Sequence, residues 1–116
     1  MNKSEKKDWQ IAEDYAVKYL KEVKKYKIIE RNLRTPYGEI DIVAQHKGIY
    51  IFVEVKSGSG KRILPSERVD EKKFEKITKS AEYYLKDKKF EKAQIDVIEI
   101  IDSKITHYED IGWDFN

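Results

Sequence analysis

The sequence predicts a mixed α/β domain, and three observations carry that expectation. Two segments, Lys6 to Lys25 and Asp70 to Lys88, repeat apolar residues at helical spacing. The segments around them alternate or run apolar as strands do, and turn-like stretches separate them. The resulting order, helix, three strands, helix, strand, strand, fits neither an all-α nor an all-β plan. At 116 residues the chain is expected to form one domain spanning 1–116, long enough to bury a core.

Each element has a local reason. In the first helix Trp9, Ala12, Ala16, Leu20 and Val23 form the apolar stripe, with Ser4 as the expected N-cap. Lys27 to Leu33 reads as a short strand closed by the turn Thr35-Pro36-Tyr37-Gly38. Glu39 to Gln45 and Ile49 to Lys56 read as two strong strands joined by Lys47-Gly48. Ser57 to Ser66, rich in Ser and Gly, reads as a loop. The second helix places Phe74, Ile77, Ala81, Tyr84 and Leu85 on one stripe. Strands at Gln94 to Ile101 and Ile105 to Tyr108 end the order.

Composition excludes several classes of function. The chain has no Cys, so neither a disulfide scaffold nor a thiolate metal site is available. No run approaches the ~18 apolar residues of a membrane span. The N-terminal stretch MNKSEKKDWQ lacks a signal peptide's apolar core, so a cytoplasmic protein with no membrane partner is expected. Lys and Arg number 24 against 22 Asp and Glu, a net charge of +2. That near balance leaves the total uninformative about nucleic acid, and the placement of charge must decide.

The segment Gly38 to Lys56 is the most informative. A two-residue turn at Lys47-Gly48 pairs Ile40 with Val55, Ile42 with Val53 and Ala44 with Ile51 on a wholly apolar face. The other face then pairs Val43 with Phe52, Asp41 with Glu54 and Glu39 with Lys56. Opposed carboxylates repel, so strand pairing alone disfavours this arrangement. A divalent cation reverses the sign, and paired acidic oxygens suit Mg²⁺ or Mn²⁺. Lys56, two residues beyond Glu54, shares its face and is placed to stabilise charge developing at phosphorus or to orient a water. A solvated, salt-bridged sheet face is the competing reading. Glu13 falls within the apolar stripe of the first helix, where it either reaches water at the stripe's edge or packs over the ionic end of the hairpin. Asp96 sits in an apolar strand, where a nearby Lys or an edge position would explain it.

Asp41 followed by Glu54-Val55-Lys56 resembles the D…(D/E)-x-K signature of the restriction-endonuclease-like PD-(D/E)XK nuclease superfamily. More specifically, the chain resembles the YraN-type family of small bacterial proteins. Ala12-Glu13, Tyr19-Leu20, Glu30-Arg31-Asn32, Gly38-Glu39-Ile40-Asp41, Phe52-Val53-Glu54-Val55-Lys56, Val69, Lys73, Asp96-Val97 and Ile105-Thr106-His107 carry the resemblance. It implies an αβββαβ core with a mixed central sheet between helices. It also implies that Asp41 and Glu54 bind the metal, that Lys56 is the catalytic lysine, and that Glu13 is the helix-borne acid. Archaeal Holliday-junction resolvases share the arrangement and cut branched DNA as dimers, so a homodimer acting on junction DNA is the implied assembly. Two departures stand out. Trp9, Gln10 and Ile11 replace a glycine-rich approach to Ala12-Glu13, and Ser57-Gly58-Ser59-Gly60 delays the basic residues expected soon after Lys56.

Phosphate contacts are expected from Lys61, Arg62 and Arg68 in or after the loop and from Lys73. Lys72, Lys76 and Lys79 form a basic stripe on the second helix, diluted by Glu71, Glu75 and Glu82, so a solvated face is the competing reading there. Tyr15, Tyr83 and Tyr84 read as packing residues, and His46 and His107 as ordinary surface or edge residues. Trp113 and Phe115 fit either a dimer interface or the chain's own core. The leading expectation is a Mg²⁺- or Mn²⁺-dependent endonuclease selective for nucleic-acid structure, with DNA as the polymer. The alternatives are a non-cleaving DNA-binding module of the same fold and a protein-interaction domain whose acidic cluster is structural.

Overall fold

The computed structural model describes residues 7–58 and 71–112. Ser4, Lys61, Arg62, Arg68, Val69, Trp113 and Phe115 lie outside the described residues.

Ala12, Ala16 and Leu20 lie on one face of the first helix, α1 (Asp8–Glu22), and are buried there. Trp9 and Val23, expected on the same stripe, are 51% and 66% exposed. Trp9 stands in the first turn of the helix and Val23 at its C-cap. Glu13 takes a buried place instead. The helix begins at Asp8, with Lys7 rather than Ser4 at its cap. The Gln10 side-chain oxygen there accepts the Lys7 backbone N–H at 3.0 Å, satisfying a donor at the start of the helix.

Three antiparallel strands follow, β1 (Lys27–Thr35), β2 (Gly38–His46) and β3 (Ile49–Gly58). The turn between β2 and β3 falls at Lys47 (φ 50°) and Gly48 (φ 81°) as expected. Two successive left-handed residues match the right-handed twist of the strands, and only Gly accepts that conformation without steric cost. Helix α2 (Glu71–Leu85) buries Ile77, Ala81 and Leu85, and also Ser80. Strands β4 (Lys92–Ile101) and β5 (Lys104–Tyr108) complete the sheet. The sheet order is β1-β2-β3-β4-β5, with β3 and β4 parallel and every other pair antiparallel. A parallel step needs a crossover, and α2 lies within it. The result is a five-stranded mixed sheet between two helices, compatible with an αβββαβ core.

Two cores form, one on each face. On the α1 face Ala12, Ala16 and Leu20 pack with Ile42, Ala44, Ile51, Val53 and Ile98. On the α2 face Ile77, Ala81 and Leu85 pack with Val43, Phe52, Ile95 and Ile40. With both faces covered, β4 reads as a nearly continuous buried run from Ala93 to Ile100 rather than an alternating strand.

The strand register corrects one part of the expected hairpin. The pairs Ile42–Val53, Val43–Phe52 and Ala44–Ile51 are present, but the β2–β3 ladder ends at Ile42–Val53. Beyond it β2 continues to pair with β1, through Ile40–Leu33 and Glu39–Arg34, while β3 continues along β4 to Gly58–Ile101. The two strands therefore part like the arms of a fork. Ile40 faces α2 instead of pairing with Val55, and Glu39 meets Arg34 at 3.3 Å instead of Lys56. Asn32, opposite Asp41 in the β1–β2 register, has a left-handed backbone (φ 53°) at this level of the sheet, while the β1–β2 register itself shifts further along, between Ile28 and Glu30.

Candidate functional site: an acidic pair in the fork of the sheet

Asp41 is the first β2 residue beyond the end of the β2–β3 ladder. Its Oδ2 accepts the Val55 backbone N–H at 2.8 Å, replacing a ladder bond with a side-chain bond. This contact holds the carboxyl group across the mouth of the fork. Glu54, one residue earlier on β3, is buried and within hydrogen-bonding reach of Asp41. Burial first, and the Glu54 carboxylate second, push the Asp41 carboxyl up to about 7. Two desolvated carboxyl groups this close must share a proton or a cation.

Cations surround Glu54. Lys73 on α2 contacts Glu54 Oε2, and Lys56 Nζ lies 3.3 Å from the same oxygen. Burial, with the Lys73 ammonium beside it, lowers the Lys56 pKa. Burial is the largest influence on Lys73 and opposes its charge, but the bonds to Glu54 and Lys56 together with the charges of Glu54 and Asp41 outweigh it, and the net shift is upward. The acid pair and α2 enclose a cleft of about 530 Å³ lined by Gly38, Glu39, Asp41, Glu54, Lys72, Lys73, Lys76 and Ile77. Glu99, beside Lys56 in the parallel ladder, is buried as well.

Glu13 is 3% exposed, which settles its place in favour of the interior. Its Oε1 accepts bonds from Arg31 Nε and Asn32 Nδ2, both at 3.0 Å, and Arg31 Nη2 reaches Asp14 at 2.6 Å. Its charge adds to the upward shift of Asp41. Among the described residues no three Asp, Glu, His or Cys side chains converge as a metal-binding group. The donor set that does exist, two mutually close carboxylates both partly or wholly withdrawn from water, fits a hard divalent cation that takes its other oxygens from water and phosphate. Asp41 and Glu54 are the residues that would hold it.

Sequence reasoning missed Arg31 and Asn32 as the groups that anchor Glu13, although Asn inside a strand pattern is itself a sign of an irregular backbone. It also missed the partners of Asp96 and of His107, which lies on the edge strand β5 as expected. Asp96 is fully buried, and its Oδ1 accepts from Gln94 Nε2 at 3.0 Å and from the Asp110 N–H at 2.9 Å. His107 is no surface residue: its Nε2 lies 2.7 Å from Asp96 Oδ2, and its Nδ1 lies 3.0 Å from the Tyr19 hydroxyl. His46 stands against the Tyr26 ring. Tyr84 packs beside Phe52 as expected, whereas Tyr83 is 40% exposed beneath Lys86.

Fold and cleft together define a small α/β protein with a carboxylate pair, Glu54 buried and Asp41 half-buried, capped by a lysine-bearing helix at a fork in its central sheet. The chain belongs to the uncharacterised protein family UPF0102, whose family model matches residues 12–100. Both the acid pair and Lys73 fall inside that span. A UPF0102 protein of Fervidobacterium nodosum is 67% identical over 114 residues, covering 95% of this chain and 85% of the relative. One from Thermotoga petrophila is 48% identical over 90% of this chain and 95% of its own length. One from Aquifex aeolicus is 42% identical over 86% and 91%. Among the described residues no helix is long and apolar enough to cross a membrane.

Proposed function

We propose that the protein is a metal-dependent endonuclease of the PD-(D/E)XK type that hydrolyses phosphodiester bonds in structured DNA. The observation that carries this reading is the Asp41–Glu54 pair held across the fork with Lys56 beside it. A divalent cation bound there would neutralise substrate phosphate and make an attacking water more acidic. Asp41 and Glu54 supply the carboxylate oxygens. Lys56 stands on the same strand face as Glu54, where its ammonium opposes the negative charge that grows on phosphorus. In the overall reaction a water oxygen bonds to phosphorus, one phosphorus–oxygen ester bond breaks, and the leaving oxygen gains a proton. Glu13, fixed by Arg31 and Asn32, keeps the region behind Asp41 acidic. Lys73 contacts substrate phosphate, and so do Lys61, Arg62 and Arg68 of the 57–70 region. A dimer with two such clefts suits a junction with paired scissile sites.

Incubating the protein with junction, flap and single-stranded DNA in Mg²⁺ or Mn²⁺ tests this reading. Branched DNA should be cut in preference to the single strand, and Lys56→Ala should lower the rate by about 10²–10³-fold, the scale of a lost charge-stabilising donor. Absence of cleavage in every metal would reject it.

The shift of Asp41 gives a pH test. The ligand must lose its proton before it accepts a metal, so Mn²⁺ affinity should fall about tenfold per pH unit below about 7. Titration calorimetry in buffers of different ionisation enthalpy should record one proton released at pH 6 and almost none at pH 8.5. The metal-free protein follows the opposite sign. Its folded Asp41 keeps a proton between the ordinary value of 3.8 and about 7, where the unfolded chain has lost it. That contribution to stability is complete below 3.8 and vanishes as pH rises through about 7.

A second reading has an observation in its favour: Glu54 and Glu13 both have cationic partners within the protein. Acids satisfied in this way suit a DNA-binding module that does not cut. Salt-dependent binding of junction DNA with no cleavage in any metal would establish it.

A further inference from the structure

The Lys73 ammonium occupies a position in the cleft that a metal ion would contest. It contacts Glu54 Oε2, and Lys56 Nζ approaches that same oxygen at 3.3 Å. A carboxylate oxygen with two ammonium partners cannot add a divalent cation without like-charge repulsion, so one ammonium must yield. Lys56 is the more confined of the two: it extends from the sheet and its side chain is 29% exposed, against 42% for Lys73. Lys73 is carried by α2, and its long aliphatic stem lets the charged head move while the helix stays in place.

The direction of that movement is set by its neighbours. Lys72 and Lys76 line the same cleft, whereas Lys79 pairs with Glu75 at 3.7 Å and lines a separate hollow with Tyr37 and Lys86. The basic stripe is therefore divided, and only its Glu71-proximal half borders the acid pair. We propose that Lys73 is an internal counter-ion of Glu54 that a divalent cation displaces, and that the released ammonium joins Lys72 and Lys76 in binding a backbone phosphate of the nucleic acid. This inference rests on the nuclease reading above. It makes metal and nucleic acid mutually reinforcing ligands: filling the acid site frees a phosphate-binding cation, and by linkage a bound phosphate strengthens metal binding.

The test measures binding rather than turnover. Mn²⁺ affinity of the free protein is measured by calorimetry, and affinity for a four-way DNA junction is measured by fluorescence anisotropy in Ca²⁺. Lys73→Met should move the two in opposite directions: Mn²⁺ binds roughly tenfold tighter, because Glu54 has lost a competitor, and junction DNA binds roughly tenfold weaker. Lys79→Met, on the same helix but outside the cleft, should leave both unchanged. Weaker DNA binding with unaltered Mn²⁺ affinity would overturn the counter-ion role. Tighter Mn²⁺ binding with unaltered DNA affinity would overturn the phosphate role. Should Lys73→Met fail to fold, the wild-type protein gives the same information. Mg²⁺ titration should shift the Lys73 side-chain NMR signals and not those of Lys79, and no shift at Lys73 refutes displacement. Wild-type protein that binds no Mn²⁺ would remove both this inference and the nuclease reading. Wild-type protein that binds and cleaves, with Lys73→Met no tighter for Mn²⁺, would remove this inference alone.

Discussion

Asp41→Asn is expected to abolish measurable Mn²⁺ binding and to lower any DNA cleavage by about 10³-fold or more, the equivalent of several kcal/mol of lost transition-state stabilisation. Asparagine is the informative replacement because of what it keeps. Its carbonyl oxygen can still accept the Val55 N–H, so the fork stays bridged and the fold should be retained. What disappears is the negative charge and one of the two oxygens that a hard cation needs. Glu54→Gln should be equally damaging to metal binding. It also leaves Lys56 and Lys73 facing a neutral amide in a partly buried cleft, so its thermal transition should move as well. Calorimetry with Mn²⁺ on the two variants decides the matter. Binding unchanged by either substitution would remove Asp41 and Glu54 as ligands.

Asp96→Ala is expected to destabilise the protein by about 3–5 kcal/mol, the scale of breaking a buried charged network by deleting one partner. Its carboxylate serves three donors at once: the Gln94 amide, the Asp110 backbone N–H and the His107 ring. Removing it deprives all three of their acceptor, two of them on side chains largely withdrawn from water, those of Gln94 and His107. The Tyr19 hydroxyl donating to Nδ1 and Nε2–H donating to Asp96 is the assignment that satisfies every group with a neutral ring. Asp96→Asn should cost less, because the amide still offers one acceptor oxygen, although its NH₂ then opposes a donor. Chemical denaturation measures both. A loss below about 1 kcal/mol for Asp96→Ala would contradict the network's role, which is to tie α1, β4 and β5 together.

The elements were readable because their patterns are strong: Ala12, Ala16 and Leu20 at helical spacing, and the Lys47-Gly48 turn between two apolar strands. The turn then fixed three cross-strand pairs correctly, since register follows turn geometry where a face is buried. The proximity of Asp41 and Glu54 was legible by the same argument, yet its cause was not. A regular ladder places them side by side, whereas the protein parts the strands there and uses a side chain to bridge them. Nothing in the period-two pattern of β2 signals that Ile40 changes faces. Trp9 and Val23 were misplaced because apolar spacing does not say where along a helix burial begins and stops. The Asp96 network was hidden for a different reason. Asp96 and His107 are eleven residues apart in sequence, and only the β4–β5 pairing brings them together.

The fork also divides the molecule mechanically. Helix α2 leans on β2 and β1, with Ser80 bonded to Thr35 at the tip of that hairpin, while α1 lies mainly along β3, β1 and β4. Asp41 rides on one arm, and Glu54 on the other with the parallel slab. The Val55 N–H bond to Asp41 crosses this seam directly, and the Lys73 contact ties α2 to Glu54 on the other arm. A ligand that grips both carboxylates would act as a clamp, and the rigidity of the whole sheet would become a readout of what sits in one small cleft.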